Sequence, residues 1–140
     1  MSGWLLDTNI LSELRKPKPN RNVITFLIRY SLDYLYISIV TLAEIRSGIE
    51  LVKDPARRMA INEWLDHRMR PMFEERILGI DENVMLRWRL LIEEGRKRGH
   101  TYSQPDLLIA ATAAHHGLTV VSRDTGEYEM AGVPVLNPWH

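Results

Sequence analysis

The amino-acid sequence predicts an α/β fold of three layers, a central and mostly parallel sheet of four to five strands with helices on both faces. Three observations carry that expectation. Short apolar segments alternate with stretches of helical periodicity, broadly in the order β-α-α-β-α-α-β-α-α-β-α-β, and such alternation builds a parallel sheet through crossover helices. The 140 residues contain no internal repeat, low-complexity run or linker, which fits one compact domain over 1–140. Four acids, Asp7, Glu44, Asp106 and Asp124, fall where the chain passes from an apolar segment or loop into a helix. That is the rim at which open α/β sheets bind ligands.

Taken in order, Trp4, Leu5 and Leu6 read as a short buried strand. The helix after it stops near Lys16-Pro17-Lys18-Pro19, because proline cannot continue it. Asn20 or Asn22 can cap the next helix, whose apolar face is Val23, Phe26, Leu27 and Tyr30. Residues 35–40 form a second strand, and Thr41 opens a helix through about Val52. Asp54-Pro55 is an N-cap followed by proline at the first helical position. Ile61, Trp64, Leu65 and Met69 face inward there, and Pro71 ends the segment. Residues 76–80 give a short strand. Asp81 caps a long helix with Val84, Trp88, Leu91 and Ile92 inward, closed by Gly99. Pro105 opens a helix apolar nearly all round, which is therefore expected to be buried, with Gly117 as its stop. Residues 118–122 and 133–136 supply the last strands.

Composition narrows the chemistry. The chain has no cysteine, which excludes disulfides, zinc-thiolate sites and cysteine nucleophiles. Its five histidines show no zinc-binding spacing, and His115-His116 are neighbours pointing about 100° apart on a helix. No apolar run approaches the roughly 20 residues of a membrane helix, and the start lacks the basic and cleavage regions of a signal peptide. A cytoplasmic protein is the expectation. Basic and acidic residues balance at 18 each, unlike a passive nucleic-acid binder. With the four rim acids neutralised, the remaining surface is modestly basic. Arg15, Lys16, Lys18, Arg21 and the run Arg96-Lys97-Arg98 are then candidate phosphate contacts. The last run also suits a helix C-terminus for dipole reasons alone.

Each rim acid has a capping explanation. Thr41-x-x-Glu44 and Ser103-x-x-Asp106 have the form of capping boxes, and Asp7 and Asp124 can each cap the segment after it. Together the four say more. Carboxylates gathered on one rim raise each other's pKa and strain the fold, and a divalent cation reverses that penalty. An all-oxygen set with room for water suits Mg²⁺ or Mn²⁺ better than zinc. Competing chemistries lack their residues. There is no nucleophile elbow and no Gly-rich phosphate loop. Asp7-Thr8-Asn9 lacks the second aspartate that an aspartyl-phosphate phosphatase uses as its general acid.

Four motifs then carry a resemblance. Leu5-Leu6-Asp7-Thr8-Asn9-Ile10-Leu11-Ser12-Glu13, Ser38-Ile39-Val40-Thr41-Leu42-Ala43-Glu44, Asp106-Leu107-Leu108-Ile109-Ala110-Ala111-Thr112-Ala113 and Ser122-Arg123-Asp124-Thr125-Gly126 occur in that order. The chain resembles, over nearly its whole length, the PIN-domain ribonucleases. It looks most like the VapC/FitB-like toxins of type II toxin–antitoxin systems. The ending Asn137-Pro138-Trp139-His140 is similar to the FitB-like branch.

The resemblance implies a PIN-like fold and an endoribonuclease whose acidic quartet binds one or two Mg²⁺ or Mn²⁺ ions. By it, Asp7 and Asp106 are direct ligands, Asp124 completes the site directly or through water, and Glu44 holds a second ion or orients water. Thr8 and Asn9 hold Asp7 in place, Glu127 before Tyr128 is an accessory acid, and Arg15, Lys16 and Arg123 are candidates for substrate contact. Water activated by the ion would attack an RNA phosphorus in line, leaving 5′-phosphate and 3′-hydroxyl ends. The implied partners are RNA, a small antitoxin whose tail blocks the acidic site, and a second copy in a homodimer or a larger assembly. Ile10, Leu11, Leu14 and Phe26 could line the antitoxin groove, or be plain core. Two alternatives keep the fold: a non-catalytic PIN-like nucleic-acid-binding module, and a metal nuclease directed at DNA.

Overall fold

The computed structural model describes residues 3–140. Five strands, β1 (Trp4–Leu6), β2 (Leu35–Ser38), β3 (Ile77–Leu78), β4 (Thr119–Val121) and β5 (Val135–Leu136), form one sheet in the order β3-β2-β1-β4-β5. All four pairings are parallel, with Trp4 opposite Leu35 and Thr119. The chain leaves β1 toward β2 on one side and leaves β4 toward β5 on the other. The crevice between the carboxyl ends of β1 and β4 is therefore the topological switch point, where such sheets hold ligands. Asp7 follows β1 directly, and Asp124 lies three residues past β4.

Side chains alternate across the sheet and nucleate two cores. Leu6, Leu35, Ile37 and Val121 face one layer, where α1 (Thr8–Leu14), α2 (Arg21–Arg29), α3 (Ile39–Glu50) and α4 (Pro55–Trp64) supply Ile10, Leu11, Val23, Phe26, Leu42 and Ile61. Leu5, Leu118 and Val120 face the other, against α6 (Glu82–Lys97), α7 (Gln104–His116) and α8 (Gly126–Met130). The helix apolar nearly all round is α7, with Leu107, Ile109, Ala110, Ala111 and Ala113 buried. Burial of its leucine and isoleucine side chains is worth about 1.5–3 kcal/mol each.

The caps follow the sequence at several ends. Asn20 accepts from the Asn22 and Val23 amides, Asp54 from Ala56 and Asp81 from Val84. Gly117 closes α7 at φ +66. Several expectations about helix and strand ends are corrected. The strand predicted over 35–40 ends at Ser38, whose side chain caps α3 through the Val40 amide, so the helix opens at Ile39 and Thr41-x-x-Glu44 is not a capping box. Ser103 occupies the cap position of α7 without a side-chain cap bond, so the second proposed box is also open. Pro71 does not end its segment. After α4 the chain makes a π turn over Leu65–Met69 and one more turn, α5 (Arg70–Met72), in which the proline takes an early position that needs no N–H. Of the two readings left open for Ile10, Leu11, Leu14 and Phe26, the packing favours core: Ile10, Leu11 and Phe26 are buried and Leu14 packs against that cluster.

The loop leading into α7 is set by a close approach. A Cβ on Gly95 would stand 2.7 Å from the Tyr102 ring and 2.9 Å from the His100 carbonyl oxygen. Only glycine lets Tyr102 pack there, and that contact fixes the segment just before Asp106.

Candidate functional site

Asp7 is the most constrained of the rim acids. It leaves β1 with its amide bonded to the Val121 carbonyl, and it is 5% exposed. Its Oδ1 accepts from the Thr8 amide at 2.8 Å. Its Oδ2 accepts from the Ser122 hydroxyl at 2.8 Å and the Tyr128 hydroxyl at 2.9 Å. Three donors complement the carboxylate and fix its plane. Burial, then the charges of Asp7 and Asp106, push the Tyr128 phenol far above its usual range, so it remains a donor.

The other acids reach the same crevice from separate elements. Glu44, in the second turn of α3, accepts at Oε1 from the Thr8 hydroxyl at 2.7 Å. Asp106 stands in the first turn of α7 and, among the described residues, has no hydrogen-bond or ion-pair partner. Asp124 follows β4; its amide donates to Ser122 Oγ at 3.0 Å, and Asn9 Nδ2 lies 3.5 Å from its Oδ2. Asn9 also donates to Ser122 Oγ at 3.1 Å and accepts from the Arg123 amide at 3.3 Å. One Thr8-Asn9 dipeptide thus ties Asp7, Glu44 and the Asp124 loop together.

Asp7, Glu44, Asp106 and Asp124 line one open cavity of about 350 Å³, with Thr8, Asn9, Ser12, Glu13, Lys16, Arg123 and Trp139. Five carboxylates against two cations leave a formal charge of −3 on its walls when all are ionised. Burial, followed by the charges of Asp7, Glu44, Glu127 and Asp124, raises the Asp106 carboxyl to about 6. Hard oxygen donors under mutual repulsion are the chemistry that a divalent cation relieves. Among the described residues, no three such side chains stand close enough together to form a ready-made cation cage. The oxygen donors gathered here suit a hard divalent cation that keeps part of its water shell.

The remaining predicted residues are spread around this cavity. Lys16 lines it and pairs with Glu13 at 2.9 Å. Arg123 lines it with its guanidinium carbon 5.2 Å from the Trp139 ring centroid. Arg15 faces a neighbouring pocket walled by Thr8, Glu44, Ile45, Val52, Ile61 and Trp64. Lys18 and Arg21 are exposed and do not line the cavity. In the 96–98 run, Arg96 pairs with Glu93, and Arg98 donates to the Tyr102 hydroxyl and the Met130 carbonyl. Arg98 therefore braces the fold. Glu127 pairs with His100 at 3.3 Å, behind Asp106.

Several residues that build the site were given no role by the sequence. Ser122 and Tyr128 fix Asp7 from 115 and 121 residues away. Glu13 is buried, bonded to Lys16 and to the Asn20 amide at 2.8 Å, and these contacts hold its carboxyl below the usual range. Trp139 lines the cavity from the segment after β5, its carbonyl accepting from Asn22 Nδ2.

Comparison with known proteins identifies the family. The PIN domain family matches residues 4–133. Toxin FitB of Neisseria gonorrhoeae is 39% identical, over 97% of this chain and 98% of its own. VapC ribonuclease Y4jK of Sinorhizobium fredii is 34% identical, over 96% of both. The crystal structure of FitAcB from Neisseria gonorrhoeae superposes with a TM-score of 0.92 at 39% identity, covering 98% of this chain and 99% of that one. With the domain matched over nearly its full length and the acidic rim at the switch point of its sheet, this chain belongs to the PIN-domain family.

Proposed function

We propose that the protein is the toxin of a type II toxin–antitoxin pair, a divalent-metal-dependent endoribonuclease. The observation that carries this reading is the convergence of four carboxylates from β1, α3, α7 and the loop after β4 on one open cavity. The names of the similar proteins, Toxin FitB and VapC ribonuclease Y4jK, support it.

Asp7 and Asp106 would hold the ion, with Asp124 completing the set directly or through water and Glu44 serving a second ion or the attacking water. A bound Mg²⁺ or Mn²⁺ supplies a lowered pKa for water and neutralises charge developing on the phosphoryl oxygens. The chain's own residues do the rest. Thr8, Ser122 and Tyr128 keep Asp7 oriented. The Thr8 hydroxyl fixes Glu44, leaving its second oxygen free to accept a proton or orient water. Lys16 neutralises Glu13, so one acid of the wall does not repel the phosphate.

RNA is the proposed substrate and a small antitoxin the proposed inhibitor, in the cytoplasm. None of the helices of the described residues is long and apolar enough to cross a membrane. The test is cleavage of labelled RNA by antitoxin-free protein with Mg²⁺, with Mn²⁺ and with EDTA. Cutting in the metal lanes alone is expected. A full panel left intact, tRNAs included, would favour the non-catalytic binding module, and cutting confined to DNA would reassign the substrate.

A further inference from the structure

Part of the cavity wall has a different chemistry from the acids. Arg123 and Trp139 stack there, the guanidinium carbon 5.2 Å from the indole centroid. Arg123 stands in a cavity with five carboxylates, yet among the described residues its guanidinium makes no ion pair and no hydrogen bond. Its donors are free and its side chain is exposed.

The backbone of Trp139 is held by two hydrogen bonds. The Trp139 carbonyl accepts from Asn22 Nδ2 at 2.9 Å, and its amide donates to Asn137 Oδ1 at 2.9 Å. Asn137 Nδ2 donates in turn to the Arg123 carbonyl at 3.4 Å. Pro138 is buried, whereas the indole is half-buried at the core's edge. The C-terminal segment therefore presents an aromatic plane beside an unpaired cation, in the cavity that the acids line.

An aromatic plane with an arginine is the chemistry that receives an unstacked nucleobase and its phosphate. We infer that the Arg123–Trp139 pair is the subsite for a nucleotide flanking the scissile phosphate of single-stranded RNA. The base packs on the indole–guanidinium stack, and the free guanidinium donors bind the adjoining phosphate. The inference rests on the ribonuclease reading for which bond is cut, but its test reads binding alone.

The experiment measures binding of labelled single-stranded RNA hexamers by anisotropy in Mg²⁺, with Asp106→Asn as background so that the RNA stays whole. Trp139→Ala, Trp139→Phe and Arg123→Gln are added to that background, with circular dichroism melts to confirm folding. Each is titrated with an intact hexamer and with hexamers carrying one abasic site at successive positions. Trp139→Ala is expected to bind about tenfold more weakly, the size of one base–aromatic stack. Trp139→Phe should recover most of that loss, and Arg123→Gln should flatten the salt dependence by about one phosphate contact. At one position, abasic RNA should lose affinity for the Trp139-containing protein and none for Trp139→Ala. Equal affinities for folded Trp139→Ala and its parent would overturn the inference. So would a parent that binds no RNA, or a Trp139 variant that binds RNA normally and loses only the antitoxin. Cleavage by the unmodified protein, scored separately, decides the nuclease reading without deciding this one.

Discussion

Asp106→Asn should stabilise the metal-free protein while removing its activity. Burial and four neighbouring carboxylates hold the Asp106 carboxyl at about 6, against an ordinary 3.8. About two pKa units at 1.36 kcal/mol each give an upper bound of roughly 3 kcal/mol. The side chain is only half-buried, so solvent screening reduces this to about 1.5 kcal/mol. The α7 dipole favours the anion and returns up to about 0.5 kcal/mol. The net penalty on the folded state is about 1 kcal/mol. Its sign follows from proton counting. Between pH 3.8 and 6 the native state holds more protons at this site than the unfolded chain, so stability falls as pH rises through that window. The penalty is complete above about pH 6 and absent below 3.8. Asparagine carries no charge, so in EDTA at pH 7.5 the variant should melt about 2–4 °C higher than the parent. At pH 3.5 the two should coincide. Added Mg²⁺ should raise the parent more than the variant, since only binding to the folded state stabilises it. Calorimetric melts at the two pH values, with and without Mg²⁺, read all of this. A variant less stable than its parent at pH 7.5 in EDTA, or a gain that persists at pH 3.5, would refute the electrostatic reasoning.

Other substitutions probe the supports of the site. Tyr128→Phe removes a buried hydrogen bond to a charged group and should cost about 1.5–3 kcal/mol in urea unfolding, with a fall in cleavage rate as Asp7 loses its orientation. Ser122→Ala should behave alike and also loosen the Asp124 loop, because one hydroxyl serves both. Glu13 is held below its usual range by Lys16 and the Asn20 amide, so its contribution is present above pH 4.5 and lost as pH falls through its folded pKa. Glu13→Gln should therefore be destabilising at pH 7, by urea midpoint, with the difference shrinking as pH falls below 4.5. Gly95→Ala forces Tyr102 or the His100 backbone to move and should cost about 1–3 kcal/mol, reducing activity through the segment before Asp106.

The strands, the helices and the four acids were legible because each rests on local chemistry. Asn20, Asp54 and Asp81 cap their helices where side-chain oxygens precede the helical periodicity, and Gly117 adopts the positive φ that its position after α7 asked for. Misread ends came from competing local signals. Ser38 is buried as a strand residue and caps as a helix residue, so a window scored for β-branched residues runs through it to Val40. The π turn over Leu65–Met69 left no mark, because Ile61, Trp64, Leu65 and Met69 read as one ordinary helical stripe. Ile10 and Leu11 carry a period that fits a core or a groove equally, and only the packing of α2 and β1 upon them decides.

The supports of the site were the least visible, since they depend on tertiary proximity. Nothing near Ser122 or Tyr128 indicates that both end on Asp7, and Glu13 has the local pattern of an exposed helical acid. Thr8 is expected from its motif to hold Asp7. It does so through its amide, while its hydroxyl turns to Glu44, 36 residues away. A distant partner decides where a hydroxyl points, and local sequence does not encode it.

The proposed function stands on the four rim acids acting together as a metal-dependent ribonuclease centre. Cleavage of labelled RNA and DNA panels, tRNAs included, by purified antitoxin-free protein tests it most directly, with Mg²⁺, Mn²⁺ or EDTA, beside Asp7→Asn and Asp106→Asn. RNA is expected to be cut only with metal and only when both aspartates are present. Metal-dependent cutting that survives either substitution in a clean preparation would contradict it.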